Sequence, residues 1–466
     1  MRNLFISILI PVIVLIIPID WIPIAGITII EQRVLAIFVM AILFWVLEPI
    51  PVFATSVVIV TSELLMISNK GLTWFRSGAG AEGFGVLLPY QPFMKTFSSP
   101  IIMLFLGGFF LAIAATKYKL DINLARLFLK PFGEKPQNVM FGLMMITAIF
   151  SMFMSNTATT ALMLAILAPV LMMLEADDSG RIAFTLCIPF AANIGGIGTP
   201  IGTPPNAVAM KYLTGETQIN FAEWMFFGFP FAMIMLFICW RILLLFFPPK
   251  RVSITLTIKS SFLKSWQAYV VYFTFGLTII LWLTGFIHGM NSYVVAMIPV
   301  AVFVSTKIIS AEDLKRISWD VLWLISGGIA LGLALEKSGL SAHMIGSVPF
   351  TYLSPLVIVI IATLLSFTMS NFISNTATAN LLLPLMAALG TSLPALVEFG
   401  GQKMLIIGVA FSCSFAMSFP VSTPPNAMAY ATGNVKNLNM IKTGAIIGLL
   451  GICMIYDPVD LYPYNS

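Results

Sequence analysis

Two short polar motifs, each present twice, are the residues of this 466-residue chain best suited to chemistry. Ser155-Asn156-Thr157-Ala158-Thr159 is followed by Thr203-Pro204-Pro205-Asn206-Ala207, and Ser374-Asn375-Thr376-Ala377-Thr378 by Thr423-Pro424-Pro425-Asn426-Ala427. Thr203 lies 48 residues after Ser155, and Thr423 lies 49 after Ser374. Each motif interrupts an apolar stretch, where an unpaired backbone group is costly. Ser, Asn and Thr are good N-cap residues, so each Ser-Asn-Thr can end one half-helix and begin the next. The second half-helix then presents free N–H groups and roughly half an elementary charge, which attract a carboxylate. The first half-helix ends in free carbonyls that, with the Ser and Asn side-chain oxygens, form a hard-oxygen shell suited to Na⁺. Thr203-Pro204-Pro205 works the same way: Thr caps, and Pro at the first helical position lacks only an N–H that has no partner there. Gly195, Gly196, Gly198 and Gly202 precede it and permit backbone shapes other residues resist.

One isolated Ser-Asn-Thr is usually a cap or a turn, and one Thr-Pro-Pro usually a helix start after a kink. Two copies of both, at matched spacing inside apolar runs, point instead to a binding site. No Lys or Arg lies within either Ser-Asn-Thr motif or beside either Thr-Pro-Pro. A bound dianion would have to be offset by helix N-termini and by co-bound cations, so cation coupling is expected on physical grounds.

The elements that must hold these motifs are membrane helices. Hydrophobic residues make up 59% of the chain and charged residues 9%, with a mean hydropathy of +0.99. A soluble protein carries roughly 25% charged residues. Long apolar runs exclude a β-barrel of short alternating segments, and the basic residues (net charge +5) sit between spans, as topology determinants and not as a nucleic-acid surface. Cys187, Cys239, Cys413 and Cys453 have no paired spacing and read as small hydrophobes. Glu48, in a two-proline turn, reads as a structural acid at a helix end, and His288 and His343 as interfacial residues. Paired Ser/His or Asp/Asp sets inside spans are absent, which argues against an intramembrane enzyme.

The expected fold is all-α and polytopic. Residues 1–30 hold a first, uncleaved span, and 31–250 form repeat 1: helices 33–135, a motif-bearing part 136–212 and a closing helix 224–247. A linker, 251–267, leads to repeat 2 (268–456), with helices 268–340, a motif-bearing part 350–430 and a closing helix 440–456. Leu104-Phe105-Leu106-Gly107-Gly108 matches Leu324-Ile325-Ser326-Gly327-Gly328 at an offset of 220, the offset of the Thr-Pro-Pro-Asn motifs, and the Ser-Asn-Thr motifs repeat at 219. The segments 117–135 and 241–267 are rich in Lys and Arg and belong in the cytoplasm. Both placements hold only if Ser155 tips a re-entrant hairpin. That gives five crossings per repeat, an inverted-topology repeat, eleven crossings in all, the N-terminus inside and the C-terminus outside, where Asp457 and Asp460 lie. The segment Asp121–Phe132 reads as an interfacial amphipathic helix.

These motifs, the Gly-Gly pairs and Trp45-Val46-Leu47-Glu48-Pro49 resemble the divalent anion:sodium symporter family, from about residue 30 to 456. The resemblance implies a homodimer in the lipid bilayer, of the bacterial inner-membrane type, with a scaffold domain (33–135, 268–340) and a transport domain (136–212, 350–430) moving as an elevator. It implies Na⁺-coupled symport of a small dianion, with a C4 dicarboxylate such as succinate, malate or fumarate expected and citrate, sulfate or cation-independent exchange as alternatives. One Na⁺ would meet Ser151, Ser155, Asn156 and Gly202; the other Ser370, Ile373, Asn375 and Ser422. Substrate would meet Ser155, Asn156, Thr157, Thr203, Ser374, Asn375, Thr376, Thr423 and Pro424. No organic cofactor is implied. Three departures stand out: Ser370-Asn371 where Thr-Glu is frequent, Ser422 where Ala is common, and Gly202-Thr203 for Gly-Ser.

Overall fold

Polar and prolyl residues cut a nearly continuous apolar sequence into helices. A computed structural model describes residues 2–256, 258, 260–347, 353–393, 396 and 400–455, and all its longer elements are helical. In chain order the main helices are α1 (Arg2–Ile16), α2 (Ile29–Leu47), α3 (Val52–Met66), α4 (Pro100–Lys117), α5 (Leu120–Leu129), α6 (Pro136–Ser151), α7 (Asn156–Met173), α8 (Gly180–Gly196), α9 (Pro204–Tyr212) and α10 (Phe221–Phe246). The second half continues with α11 (Trp266–Leu283), α12 (Ser292–Ser305), α13 (Trp319–Ser338), α14 (Leu340–Gly346), α15 (Pro355–Phe372), α16 (Asn375–Ser392), α17 (Gly401–Ser414), α18 (Pro424–Ala431) and α19 (Asn437–Ile455).

The local causes are legible. Thr28 opens α2 and Asn220 opens α10 through capping boxes with Glu31 and Glu223. Glu48 ends α2 in the left-handed region (φ 44°), its N–H bonded to the Phe44 carbonyl, and Pro49 and Pro51 follow. In helix order, α2, α3, α4, α6/α7, α8/α9 and α10 are followed by a like series, α11, α12, α13, α15/α16, α17/α18 and α19. Eight helices, α2, α4, α7, α10, α11, α13, α15 and α19, are long and apolar enough to cross a membrane, among the described residues. This count differs from the expected eleven crossings for a physical reason. α1, α3 and α12 have 14 or 15 residues, about 22 Å, and the paths through α8/α9 and α17/α18 are broken at their polar motifs. By contrast α7 and α15, which the sequence reading places in non-crossing re-entrant hairpins, reach 18 residues and enter the count. The expected end of the closing helix at Tyr456, the tail with Asp457 and Asp460, Lys259 of the linker and position 350 lie outside the described residues.

The chain divides into two compact units that cut across the repeats. The first comprises Met1–Ile102, Val208–Gln218 and Trp319–Cys413. Its core joins α2 (Val34, Phe38, Trp45), α3 (Ile59), α13 (Leu331, Leu335) and α16 (Ala377, Leu381). Gly327 lets the α13 backbone approach Ser56 on α3, where a methyl group would overlap the serine. The second comprises Met103–Ala207, Ile219–Ser318 and Ser414–Ser466. Its centre is α8, buried along nearly its whole length, with α6, α7, α10 and α18 around it. Phe221 stacks on Trp282 at 4.6 Å, fixing α10 to α11. α5 carries exposed Leu127 and Phe128 and buried Asp121 and Asn123.

Candidate substrate and cation site

Each Ser-Asn-Thr lies at a break between two helices, and the two breaks are built alike. Ser155 is the N-cap of α7, its hydroxyl oxygen accepting the Ala158 N–H at 3.2 Å; Ser374 caps α16 by accepting the Ala377 N–H, also at 3.2 Å. The Ser151 hydroxyl donates to Asn156 Oδ1 at 2.6 Å, and the Ser370 hydroxyl to Asn375 Oδ1 at 2.9 Å. A serine in the last turn of the first half-helix thus holds the amide oxygen of the asparagine that begins the second, twice. Donating leaves the serine lone pairs for a cation, and the amide oxygen keeps a second lone pair.

Within the second unit, Ser151, Asn156 and Gly202 come together. A methyl group placed on Gly196 would lie 2.9 Å from Asn156 Oδ1 and 3.0 Å from the Gly202 carbonyl oxygen, so both oxygens border one small volume beside Gly196. Ser155 adjoins them, but its oxygen already serves the α7 cap. Thr157 is exposed on the first turn of α7, and Thr203 is buried before α9. Of the second expected cation set, Ser370, Ile373 and Asn375 fall in the first unit, and Ser422 in the second. Ile373 gives its N–H to Met369, and Ser422 Oγ accepts the Phe419 N–H at 3.1 Å. Thr376 is buried where its counterpart Thr157 is exposed. Thr423 caps α18 by accepting the Asn426 N–H at 3.3 Å, and Pro424 is exposed beside it. The departure at Asn371 is a buried amide donating to the Phe367 carbonyl of its own helix at 2.9 Å.

The asparagines that end the Thr-Pro-Pro-Asn motifs have a larger part than the sequence reading gives them. Asn206 Nδ2 faces three carbonyls of the broken segment, Gly196 (3.1 Å), Ile197 (3.3 Å) and Thr199 (2.8 Å). Asn426 Nδ2 repeats this with Met417 (2.8 Å) and Phe419 (3.0 Å). Trp224 Nε1 also donates to the Ile197 carbonyl, and the Thr199 hydroxyl donates to that of Met152. These donors satisfy carbonyls that a break in a helix leaves open. Asn193 on α8 is a further residue the sequence reading missed. Its amide reaches Thr423 Oγ1 (3.2 Å) and Asn426 Oδ1 (3.3 Å), joining α8 to the second Thr-Pro-Pro-Asn within the second unit. The available signal was an Asn in the otherwise apolar run 182–197.

Broken helices at repeated polar motifs, set among apolar helices of membrane-spanning length, are the features of an integral membrane transporter. The chain matches the family described as the sodium:sulfate symporter transmembrane region over residues 1–462, and it belongs to that divalent anion:sodium symporter family. It is 30% identical to the sodium-dependent dicarboxylate transporter SdcS of Staphylococcus saprophyticus, covering 91% of this chain and 84% of that protein. It is 32% identical to an uncharacterized transporter of Haemophilus influenzae (77% and 80% covered) and 28% identical to the Na⁺/citrate cotransporter of Rattus norvegicus (77% and 81%).

Proposed function

We propose that this protein is a Na⁺-coupled symporter of a small divalent anion, a C4 dicarboxylate such as succinate, malate or fumarate. The observation that carries the reading is the twin arrangement of Ser151–Asn156 and Ser370–Asn375: neutral oxygens gathered at a helix break, beside a capped helix N-terminus. Such a break offers carbonyl and amide oxygens to Na⁺ and N–H dipoles to a carboxylate. One Na⁺ binds at Ser151, Ser155, Asn156 and Gly202, the other at Ser370, Ile373, Asn375 and Ser422. The dianion meets Ser155, Asn156, Thr157 and Thr203 from the first repeat and Ser374, Asn375, Thr376, Thr423 and Pro424 from the second. The names of the Staphylococcus saprophyticus and rat relatives support sodium coupling and a di- or tricarboxylate.

The architecture that suits this function has eleven crossings and two re-entrant hairpins, α6/α7 and α15/α16, in an inverted repeat with the N-terminus in the cytoplasm. Two such chains make a dimer, with helices 33–135 and 268–340 as scaffold and 136–212 and 350–430 as an elevator. The test is uptake of labelled succinate into proteoliposomes, with and without an inward Na⁺ gradient, in competition with malate, fumarate, 2-oxoglutarate, citrate and sulfate. Na⁺-stimulated uptake blocked by C4 dicarboxylates is expected. Uptake indifferent to Na⁺ but requiring internal dicarboxylate would make the protein an exchanger instead.

A further inference from the structure

Outside the motifs, one buried ionisable side chain has no use in the fold. Glu63, on α3, is fully buried, and neither carboxylate oxygen has a hydrogen-bond partner. It lies seven residues after Ser56, hence on the same face of α3, and Ser56 packs on Gly327 of α13. Lys211, at the far end of α9, lies against the same helix that α3 packs on: a methyl group on Gly332 of α13 would sit 2.9 Å from its ammonium. Lys211 makes no ion pair with Glu63 within 4 Å; its ammonium donates to the Ile329 carbonyl of α13 at 2.7 Å and to the Tyr212 hydroxyl at 3.2 Å.

Other charges on the neighbouring elements are spoken for or turned away. On α2, Glu31 is engaged by Thr28 and His343, and Arg33 donates to the Met66 and Phe75 carbonyls. On α13, Asp320, Glu336 and Lys337 are exposed, Glu336 being close enough to act on Lys211. In the turns packed on α3, Arg76 donates to Thr73, and Tyr90 is exposed. A carboxylate stripped of water and given no donor is costly, whereas a carboxylic acid in the same place is tolerable. An ionisable group inside a membrane span, in a protein that moves ions, is a functional site before it is a structural one.

We propose that Glu63 is a proton-binding site, neutral while Lys211 is docked on the Ile329 carbonyl, which releases its proton when Lys211 comes into ion-pair contact. The O–H bond breaks, the proton leaves to water, and the carboxylate and ammonium remain as a pair, so one positive charge leaves the span. α9 begins at Thr203-Pro204-Pro205, so on the transport reading above, which this inference extends, substrate binding at one end of the half-helix is linked to protonation at the other.

Infrared difference spectra of the intact protein in lipid test this. At neutral pH without substrate, wild type is expected to show the carbonyl stretch of a protonated carboxylic acid, shifted in Glu63→Asp and missing in Glu63→Gln. Adding Na⁺ and succinate should diminish the band in wild type but not in Lys211→Met. In proteoliposomes, Glu63→Gln should flatten the pH dependence of uptake several-fold. If the band is absent, or survives unchanged in both Glu63 variants, the proposal is wrong. The substrate-free band does not depend on which anion is carried. Its presence together with Na⁺-independent uptake would overturn the symport reading and leave the proton site standing.

Discussion

At the scale of single residues, the two asparagines of each repeat differ: one is proposed to bind, the other serves the fold. Asn156 and Asn375 each offer an amide oxygen held by a serine hydroxyl, half-buried, with capacity left over. Replacing either by Ala removes a proposed ligand and leaves a serine hydroxyl that can turn elsewhere. Asn156→Ala or Asn375→Ala is therefore expected to reduce Na⁺-driven uptake more than a hundredfold while the melting temperature stays near that of wild type. An Asn156→Ala protein with normal uptake and unchanged Na⁺ dependence would refute the site assignment. Asn206 differs, being fully buried with its amide turned onto the carbonyls of Gly196, Ile197 and Thr199. Leaving such carbonyls unpaired costs about 1–3 kcal/mol each. Asn206→Ala should destabilise the protein by about 2 kcal/mol or more, read as a fall in the thermal midpoint, with the loss of uptake following from that. The motif was visible in sequence; this division of labour was not, because the two roles depend on where each amide points. Glu63 and Lys211 escaped the sequence reading for a related reason. They lie 148 positions apart in the chain, and only packing brings their helices against the same α13.

At the scale of elements, helix breaks and helix order were legible because each has a local cause. Ser155, Ser374 and Thr423 do cap the helices they open, and Pro49 and Pro51 do separate α2 from α3. What sequence could not supply was which helix packs on which, since apolar helices of similar composition carry little partner information. The second unit shows this at the end of α4. Lys117 reaches across to the short turn before α13, donating to Asp313 Oδ2 at 2.6 Å and to the Ile308 carbonyl at 2.8 Å. Burial pushes the Asp313 carboxyl up, but Lys117 and the Ser310 backbone and hydroxyl outweigh it and hold it down at about 2. A carboxyl lowered by folding stabilises the protein above its ordinary range, and that contribution is lost as pH falls through the folded value. Lys117 is a third exposed, which limits the pair to about 1.5 kcal/mol. Asp313→Asn should therefore melt below wild type by a constant margin from pH 5 to 8. The margin should shrink as pH falls below 4 and vanish only below 2. A margin independent of pH throughout would show that the carboxylate charge does not matter.

At the scale of the whole molecule, the question is whether the two copies face opposite sides of the membrane. The repeat itself is a matter of sequence and helix order; its inversion rests on where Lys and Arg cluster, chiefly in 117–135 and 241–267. If five crossings and one re-entrant hairpin make each repeat, the first hairpin has both ends in the cytoplasm, with Met172 near the end of α7, and the second has both ends outside, with Leu353 just before α15. Met172 and Leu353 are both exposed, so a cysteine at either is open to a reagent from its own side. The native thiols complicate the experiment little: Cys187, Cys239 and Cys413 are buried, and exposed Cys453 can be changed to Ser. In right-side-out vesicles a membrane-impermeant maleimide should label Leu353→Cys and spare Met172→Cys, and in inside-out vesicles the preference should reverse. Labelling of both from the same side would mean that one hairpin crosses the membrane after all. The repeats would then be parallel, and the two Ser-Asn-Thr tips would no longer meet a shared substrate from opposite faces.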